Sequence, residues 1–186
     1  MTIMVLLESI TIPLGTKMPE FELKDPFGKM FKSSEQFGAQ GLLVVVTCNH
    51  CPYAQAVWPR VIRLAQLGKE LGINTVAINP NIHPGFPEDA PPKMIKMIKD
   101  LKIFFPYLVD ETQETARAFK AQCTPDLYLF GADHKLVYHG RVDDNWQDER
   151  KVTRQELKEA LESLASGGLI DGKQNPSIGC SIKWSS

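Results

Sequence analysis

Hydrophobic residues along this chain recur with two spacings, one typical of buried strands and one typical of helices. Gly41–Thr47 and Ile73–Asn79 are strand-length runs dominated by apolar and β-branched residues. Between them, Pro52–Leu71 carries apolar residues three and four apart and is followed by Gly72, the pattern of an amphipathic helix with its stop signal. A strand, a helix and a strand in this order predict a right-handed βαβ unit with two parallel strands.

The rest of the pattern predicts antiparallel strands and shorter helices around this unit. Alternation from Phe21 to Phe31, with a turn in between, predicts a β-hairpin. Residues 1–19 and 167–186, punctuated by Gly, Ser and Pro, predict an N-terminal arm and a C-terminal tail. The other predicted elements are the loop Pro80–Pro92, helices Pro92–Lys102, Thr112–Lys120 and Thr153–Leu164 (with a capping box at Thr153 and Glu156), and strands Tyr107–Val109, Leu127–Phe130 and Leu136–His139. We therefore predict one α/β domain over residues 1–186, a central mixed β-sheet flanked by helices.

Composition and charge narrow the classes of function. The chain has 186 residues, of which 43% are hydrophobic and 23% charged, the usual mix for a globular domain. A net charge of −1 argues against a nucleic-acid partner or a polybasic membrane anchor. The apolar run Ile3–Leu7 is too short for a signal-peptide core, and no stretch approaches the roughly 20 apolar residues of a membrane span, so we expect a cytoplasmic protein.

Cysteine spacing supplies the first candidate chemistry. Four cysteines are too few for a disulfide scaffold, so a close pair in a reducing compartment indicates catalysis or metal binding. Cys48 follows a predicted strand and precedes a predicted helix, whose N-terminus should lower the pKa of its thiol. Cys51 lies one turn on, close enough to attack a mixed disulfide at Cys48, and His50 adds a possible positive charge. The alternative is two core cysteines three apart by chance.

The segment after the first buried strand resembles the redox motif of the thioredoxin-like superfamily. Its residues are Cys48, Asn49, His50, Cys51 and Pro52. Thr124 and Pro125, just before a predicted strand, resemble the cis-proline loop of that superfamily, which faces the dithiol and docks the substrate backbone. The resemblance therefore implies a thioredoxin-like fold with this loop beside the dithiol. Pro125 could instead be an ordinary turn proline, but its position after a predicted helix and before a strand favours the cis-proline loop.

More closely, the chain is similar to the peroxiredoxin-like branch of redoxin proteins, the alkyl hydroperoxide reductase and thiol-specific antioxidant group. The matching segments are 18–23, 48–52, 123–130, 140–144 and 176–184. Peroxiredoxins carry a Thr three residues before their peroxidatic Cys, whereas this chain has Cys48 there and Cys51 at the peroxidatic position. The arginine expected at the Cys123–Pro125 loop is absent. These departures favour disulfide exchange over peroxidase activity.

The leading hypothesis is a thiol–disulfide oxidoreductase that uses no cofactor. Cys48 attacks a protein or small-molecule disulfide, Cys51 resolves the mixed disulfide, and Pro125 holds the substrate strand, while an upstream thiol reductant restores the dithiol. A second hypothesis is a thiol peroxidase in which peroxide oxidises Cys51 and Cys48 or Cys180 resolves it. A metal site of Cys48, Cys51 and a His is disfavoured because no second Cys/His pair has suitable spacing. A redox-inactive scaffold is the fourth alternative.

Topology suggests which other side chains border the dithiol. The strand pair after Pro125 should return Arg141, Asp143, Asp144 and Trp146 to the rim of the site, where Arg141 either assists a thiolate or forms a surface ion pair with one of the Asp residues. His83 and Phe86, on the loop after the second parallel strand, are either substrate contacts or solvated residues. Two accessory thiols, Cys123 and Cys180, are either exchange partners or inert; for Cys180 the length of the tail permits a resolving role.

Overall fold

The computed structural model describes residues 6–170 and 172–185, which form ten strands and four α-helices. The strands are β1 (Leu6–Glu8), β2 (Glu22–Lys24), β3 (Met30–Lys32), β4 (Gly41–Val46), β5 (Ile73–Asn79), β6 (Tyr107–Val109), β7 (Cys123–Thr124), β8 (Asp126–Gly131), β9 (Leu136–Gly140) and β10 (Ile178–Ser181). The helices are α1 (Pro52–Glu70), α2 (Pro91–Leu101), α3 (Glu114–Ala118) and α4 (Glu156–Ser166). Residues 1–5, which include most of the apolar run Ile3–Leu7 and the start of the N-terminal arm, lie outside the described residues.

Seven strands form the central sheet, in the order β3-β2-β6-β5-β4-β8-β9. Strands β4, β5 and β6 are parallel neighbours, while β8 pairs antiparallel with β4 and β9 antiparallel with β8. The sheet is therefore mixed, as predicted, and the hairpin β2–β3 extends it at one edge. The parallel strands end on the same side, which places the β4–α1 turn and the loop after β5 next to each other.

Hydrophobic clusters cover both faces of the central sheet. Every residue of β4 is buried, because α1 and α4 pack on one face while α3 and part of the N-terminal arm pack on the other. Three of the four cysteines, Cys48, Cys51 and Cys180, belong to the cluster on the α1 side. The thiols are thus part of a packed core, where sulfur has few water molecules to solvate a negative charge.

Two helix starts differ from the prediction. Helix α4 begins at Glu156 with Gln155 as its N-cap, so the predicted capping box at Thr153 is wrong. The backbone N–H and hydroxyl of Thr153 bind the carboxylate of Asp144 instead, which satisfies the donors outside the helix. Helix α3 begins only at Glu114, because the residue before it, Gln113, has a left-handed φ of 63°.

The predicted N-terminal arm and C-terminal tail are joined by a second sheet that the sequence pattern did not indicate. Strand β10 lies between β1 and β7 in a three-stranded antiparallel sheet, with Leu6 opposite Cys180 and Cys180 opposite Thr124. Residues 178–181 of the predicted tail therefore form a strand that the sequence pattern did not indicate. A four-residue strand that contains Gly179 and Ser181 carries little local signal, and its partners are far away in sequence.

Among the described residues, none of the helices has both the length and the apolar composition that a membrane span requires.

Candidate active site

The two cysteines of the motif lie in the turn between β4 and α1, at different places relative to the helix. Cys51 is the N-cap of α1 and Pro52 is its first residue, a position that suits proline because the missing N–H needs no partner there. Cys48 lies three residues earlier, just past β4. Both side chains have an exposed fraction of 0%. The helix N-terminus therefore adjoins Cys51 rather than Cys48, contrary to the prediction.

Thr124 touches both sulfur atoms. Its Oγ1 lies 3.2 Å from Cys48 Sγ, and its carbonyl oxygen lies 3.1 Å from Cys51 Sγ. The peptide bond from Thr124 to Pro125 is cis, as the resemblance implied. The cis-proline loop thus faces the dithiol, and its residue Thr124 bridges the two thiols with one side-chain and one backbone group.

The two thiols differ in acidity. Burial raises the pKa of Cys48 well above its usual value, and the hydrogen bond with Cys51 and the negative charge of Asp89 raise it further. Hydrogen bonds donated by Cys180 and Cys48 hold the pKa of Cys51 well below its usual value, against the opposing effect of burial. The expected lowering of the Cys48 pKa is therefore wrong, and Cys51 is the thiol that these contacts stabilise as a thiolate.

Asp89, which is fully buried, is the centre of a polar cluster on the Cys48 side of the site. Its Oδ1 accepts hydrogen bonds from the backbone N–H of Asn49 and, at 3.1 Å, from the side chain of Asn79, while its Oδ2 bonds to Nδ1 of His50. We call Asn49, His50, Asn79 and Asp89 the Asp89 hub. Sequence reasoning missed Asp89; the only signal was its place in the loop expected to border the dithiol.

Asn49 connects the hub to three further elements. Its side chain donates to the carbonyl oxygen of Glu88 (2.8 Å) and accepts from the hydroxyl of Tyr107 (2.9 Å). Its own carbonyl oxygen accepts from the side chain of Gln55 (2.7 Å). Burial raises the pKa of Tyr107, which keeps its hydroxyl protonated as the donor. The turn that carries Cys48 is consequently fixed to β6, to α1 and to the loop after β5.

Residues 13–160 match the Redoxin family, and this region includes the dithiol, the Asp89 hub and the cis-proline loop. The chain belongs to the Redoxin family. It also superposes on a solved structure described as an uncharacterized conserved protein from Geobacillus kaustophilus, at 40% identity and a TM-score of 0.93, over 99% of this chain and 98% of that one. The search of curated proteins finds no match.

Two more distant structures show the same fold as this redoxin. Peroxidoxin BcpB from Mycobacterium tuberculosis superposes at 16% identity and a TM-score of 0.64, covering 84% of this chain and 98% of that one. The thioredoxin domain of a thiol-disulfide oxidoreductase from Bacteroides vulgatus superposes at 14% identity and a TM-score of 0.64, covering 83% and 99%. The predicted thioredoxin-like fold and redoxin resemblance are confirmed, and family membership supports an oxidoreductase.

Cys48, His50 and Asp89 are also a geometric candidate for binding a cation, since their donor atoms lie within 4.8 Å of one another. Asp89 already accepts hydrogen bonds on both of its oxygens. Nε2 of His50 has no hydrogen-bond partner, and its ring stacks on Phe86 with centroids 4.5 Å apart. These contacts favour a hydrogen-bonded hub over a metal centre in this redoxin.

The side chains expected at the rim do lie beside the cis-proline. Arg141, Asp143, Asp144 and Trp146 line, together with Pro125, a cavity of about 130 Å³.

Their ion pairs differ from the expectation. Arg141 binds Glu156 through Nη2 at 2.7 Å and Nε at 2.9 Å, so its partner is Glu156 rather than an Asp. Asp143 pairs instead with the buried Arg60, at 2.6 Å. Of the two loop residues expected to border the dithiol, Phe86 contacts His50, whereas His83 is exposed.

Both accessory cysteines are buried near the cis-proline loop. Cys123 Sγ lies 3.9 Å from the carbonyl oxygens of Pro125 and Ser177, and burial raises the pKa of this thiol. Cys180 belongs to the same core cluster as Cys51, and its hydrogen bond to Cys51 raises its own pKa. The structure thus places Cys180 beside the dithiol, whereas the sequence showed only that the tail is long enough to reach it.

Proposed function

We propose that this redoxin is a thiol–disulfide oxidoreductase that works through Cys48 and Cys51. The observation that carries the proposal is the contact of both sulfur atoms with Thr124, the residue before the cis-proline. Two thiols held next to each other can form a disulfide with each other, and the resemblance implies that the cis-proline loop docks the substrate backbone. We assign the attack to Cys51, because its thiolate is the one stabilised at the helix N-terminus.

The reaction consists of two balanced exchanges. The Cys51 thiolate attacks one sulfur of the substrate disulfide, forms a mixed disulfide and releases the other sulfur as a thiolate. Cys48 then gives up its proton and attacks Cys51 Sγ, which forms the Cys48–Cys51 disulfide and releases the second substrate thiol. The raised pKa of Cys48 keeps it protonated until the first step is complete. A thiol reductant, by the reverse exchanges, restores the dithiol.

A second candidate is a thiol peroxidase, which the lowered pKa of Cys51 favours. A peroxide would oxidise the Cys51 thiolate to a sulfenic acid, and Cys48 would condense with it, releasing water. A cation that activates the peroxide would help this reaction. Arg141, which lines the cavity beside Pro125, is bound to the buried carboxylate of Glu156, and this weighs toward disulfide exchange.

Turnover assays separate the two candidates. The wild type, Cys48→Ser and Cys51→Ser are compared for reduction of insulin disulfides and for consumption of hydrogen peroxide, each with a thiol reductant. Disulfide exchange predicts insulin turnover that both substitutions abolish, with Cys48→Ser accumulating a mixed disulfide on Cys51. Fast peroxide consumption without insulin turnover, and a sulfenic acid on Cys51 in Cys48→Ser, would replace the first candidate with the second.

A further inference from the structure

Strand β10 occupies the backbone edge of the cis-proline loop. Cys180 pairs with Thr124 and Ser181 pairs with Cys123 in an antiparallel register. A glycine makes this approach possible, because a Cβ added to Gly179 would lie 2.0 Å from the carbonyl oxygen of Thr124. The proposed docking place of a substrate strand is therefore filled by the protein's own chain.

Residues after β10 hold it in place. The backbone N–H of Ile182 donates to the carbonyl oxygen of Gln122 (3.1 Å), and that of Lys183 donates to the side chain of Asn81 (2.9 Å). The side chain of Gln113 donates in turn to the carbonyl oxygen of Lys183 (2.7 Å). These contacts of Ile182 and Lys183 fix the register of β10, and the register places Cys180 opposite Thr124 of the cis-proline loop.

Cys180 meets Cys51 in this register. Thr124, the cross-strand partner of Cys180, is also the residue whose carbonyl oxygen lies 3.1 Å from Cys51 Sγ. Both side chains are buried in the same cluster, Cys180 with an exposed fraction of 2%, and the Cys180 thiol lowers the pKa of Cys51. A cysteine on a strand paired with the residue before the cis-proline stands where the cysteine of a docked substrate would stand.

We propose that Cys180 is a third redox-active thiol of this protein, which exchanges with the Cys48–Cys51 disulfide to form a Cys51–Cys180 disulfide. This inference rests on the proposed function, because the exchange starts from the Cys48–Cys51 disulfide that the proposed function forms. Cys180 and its strand lie outside residues 13–160, over which the Redoxin family model matches. Strand β10 then acts as an internal substrate that must leave Thr124 before a protein substrate can pair there.

The exchange balances without an added oxidant. The Cys180 thiol loses its proton and its sulfur attacks Cys51 Sγ; the S–S bond between Cys48 and Cys51 breaks, and Cys48 leaves as a thiolate that takes up a proton. One disulfide is consumed and one is formed, so no net oxidation occurs. The proton lost by Cys180 is taken up at Cys48, so the exchange is also balanced in protons.

Disulfide mapping tests the inference directly. The reduced protein is treated with one equivalent of oxidised glutathione, quenched with an alkylating agent, digested with trypsin and analysed by mass spectrometry. The Cys48–Cys51 pair, Cys123 and Cys180 fall in separate tryptic peptides, 33–60, 121–135 and 174–183. We expect a fraction of the wild type to carry peptide 33–60 linked to 174–183, and Cys48→Ser to carry this link as its main intramolecular disulfide.

Cys123→Ser is the matched control, because Cys123 is a buried thiol on the strand next to β10. We expect it to keep the 33–60 to 174–183 link, and Cys180→Ser to lose the link while retaining the Cys48–Cys51 disulfide. A wild type that forms the Cys48–Cys51 disulfide and a Cys48→Ser variant that forms no link between the two peptides, with Cys180 fully alkylated in both proteins, would overturn the inference and leave the proposed function standing. Absence of the Cys48–Cys51 disulfide, while peptide 33–60 is still linked to peptide 174–183, would overturn the proposed function instead.

Discussion

The dithiol lies between two supports of different kinds, the Asp89 hub beside Cys48 and strand β10 beside Cys51. The hub is built from side chains around one buried carboxylate, and it fixes the turn at Asn49 and His50. The β10 support is built mainly from backbone pairing along the cis-proline loop. The hub therefore depends on the carboxylate of Asp89, whereas the β10 support depends on the absence of a side chain at Gly179 and on the register of the strand pairing.

The two supports also act oppositely on the neighbouring sulfur. Asp89 adds negative charge next to Cys48 and raises its pKa, whereas β10 brings a thiol donor that lowers the pKa of Cys51. The same sequence motif thus holds two thiols of different acidity, because burial and the charge of Asp89 raise the pKa of Cys48, whereas hydrogen bonds from Cys180 and Cys48 lower the pKa of Cys51. The following predictions test this division, beginning with the largest expected effect.

Removing the carboxylate of the hub should have the largest effect on stability. Asp89→Ala leaves the buried Asn49 N–H and the ring of His50 without their acceptor, so we expect the free energy of unfolding to fall by roughly 3–5 kcal/mol. Urea denaturation of the reduced protein measures this change. Glu88→Ala is the control, because the exposed side chain of Glu88 is outside the hub. Equal losses in the two variants would show that the carboxylate has no special role.

Lifting β10 from the cis-proline loop should cost less stability and change reactivity instead. Gly179→Val places a side chain against the Thr124 carbonyl, which we expect to destabilise the fold by about 1–3 kcal/mol and to speed alkylation of Cys51. Gly172→Val is the control, since a Cβ there meets nothing within 4 Å. Stability is measured by urea denaturation and reactivity by peptide-resolved alkylation rates. Unchanged protection of Cys51 in Gly179→Val would mean that β10 is not its cover.

The charge of the hub should be visible in the titration of Cys48. Asp89→Asn removes a negative charge that raises the Cys48 pKa, so we expect this pKa to move down but to stay above its usual value, because burial is the larger cause. The Cys48 thiolate should consequently appear at lower pH than in the parent protein. Ultraviolet thiolate absorbance, recorded against pH in a Cys51→Ser background, reports this change.

Asp133→Asn in the same Cys51→Ser background is the control for that titration, because the exposed Asp133 is not among the groups that shift the Cys48 pKa. A Cys48 titration that moves equally in both variants, or that moves upward in Asp89→Asn, would contradict the assignment.

The smallest effect is expected at the outer edge of the hub. His83 is exposed and its Nδ1 accepts a hydrogen bond from the backbone N–H of Gly85, so His83→Ala should change the free energy of unfolding by no more than about 0.5 kcal/mol. Insulin turnover should also stay within a factor of about two. A larger loss of turnover with unchanged stability would identify His83 as a substrate contact, one of the two alternatives predicted from its position in the sequence.

Much of the fold could be predicted from local patterns. The strands β4 and β5 and the helix α1 have bounds within one residue of the expectation, because long apolar runs and helical spacing repeat over many residues. The short helices α3 and α4 start later than predicted, since single residues at their ends, Gln113 and Thr153, make conformations or contacts that propensity does not encode.

The site could be predicted only in part. The pairing of Cys48 with Cys51 followed from their spacing, and Thr124 and Pro125 followed from the resemblance. Asp89 did not, because an acidic residue in a proline-rich loop has the same local pattern whether it is solvated or buried under Asn49. Arg141 was placed correctly at the rim but given the wrong partner, since Glu156 lies on a helix whose approach only the packed structure defines.

The sequence by itself determined that a dithiol stands at the end of a buried strand and before a helix, because strand period, helix period and cysteine spacing are all local properties. Tertiary structure decided which thiol is stabilised as the thiolate and which third thiol it meets. Those outcomes depend on hydrogen-bond donors and charges brought from Asp89 and Cys180, residues far from the motif along the chain. Electrostatic and hydrogen-bond contributions act over a few ångströms in space, and only folding sets those distances.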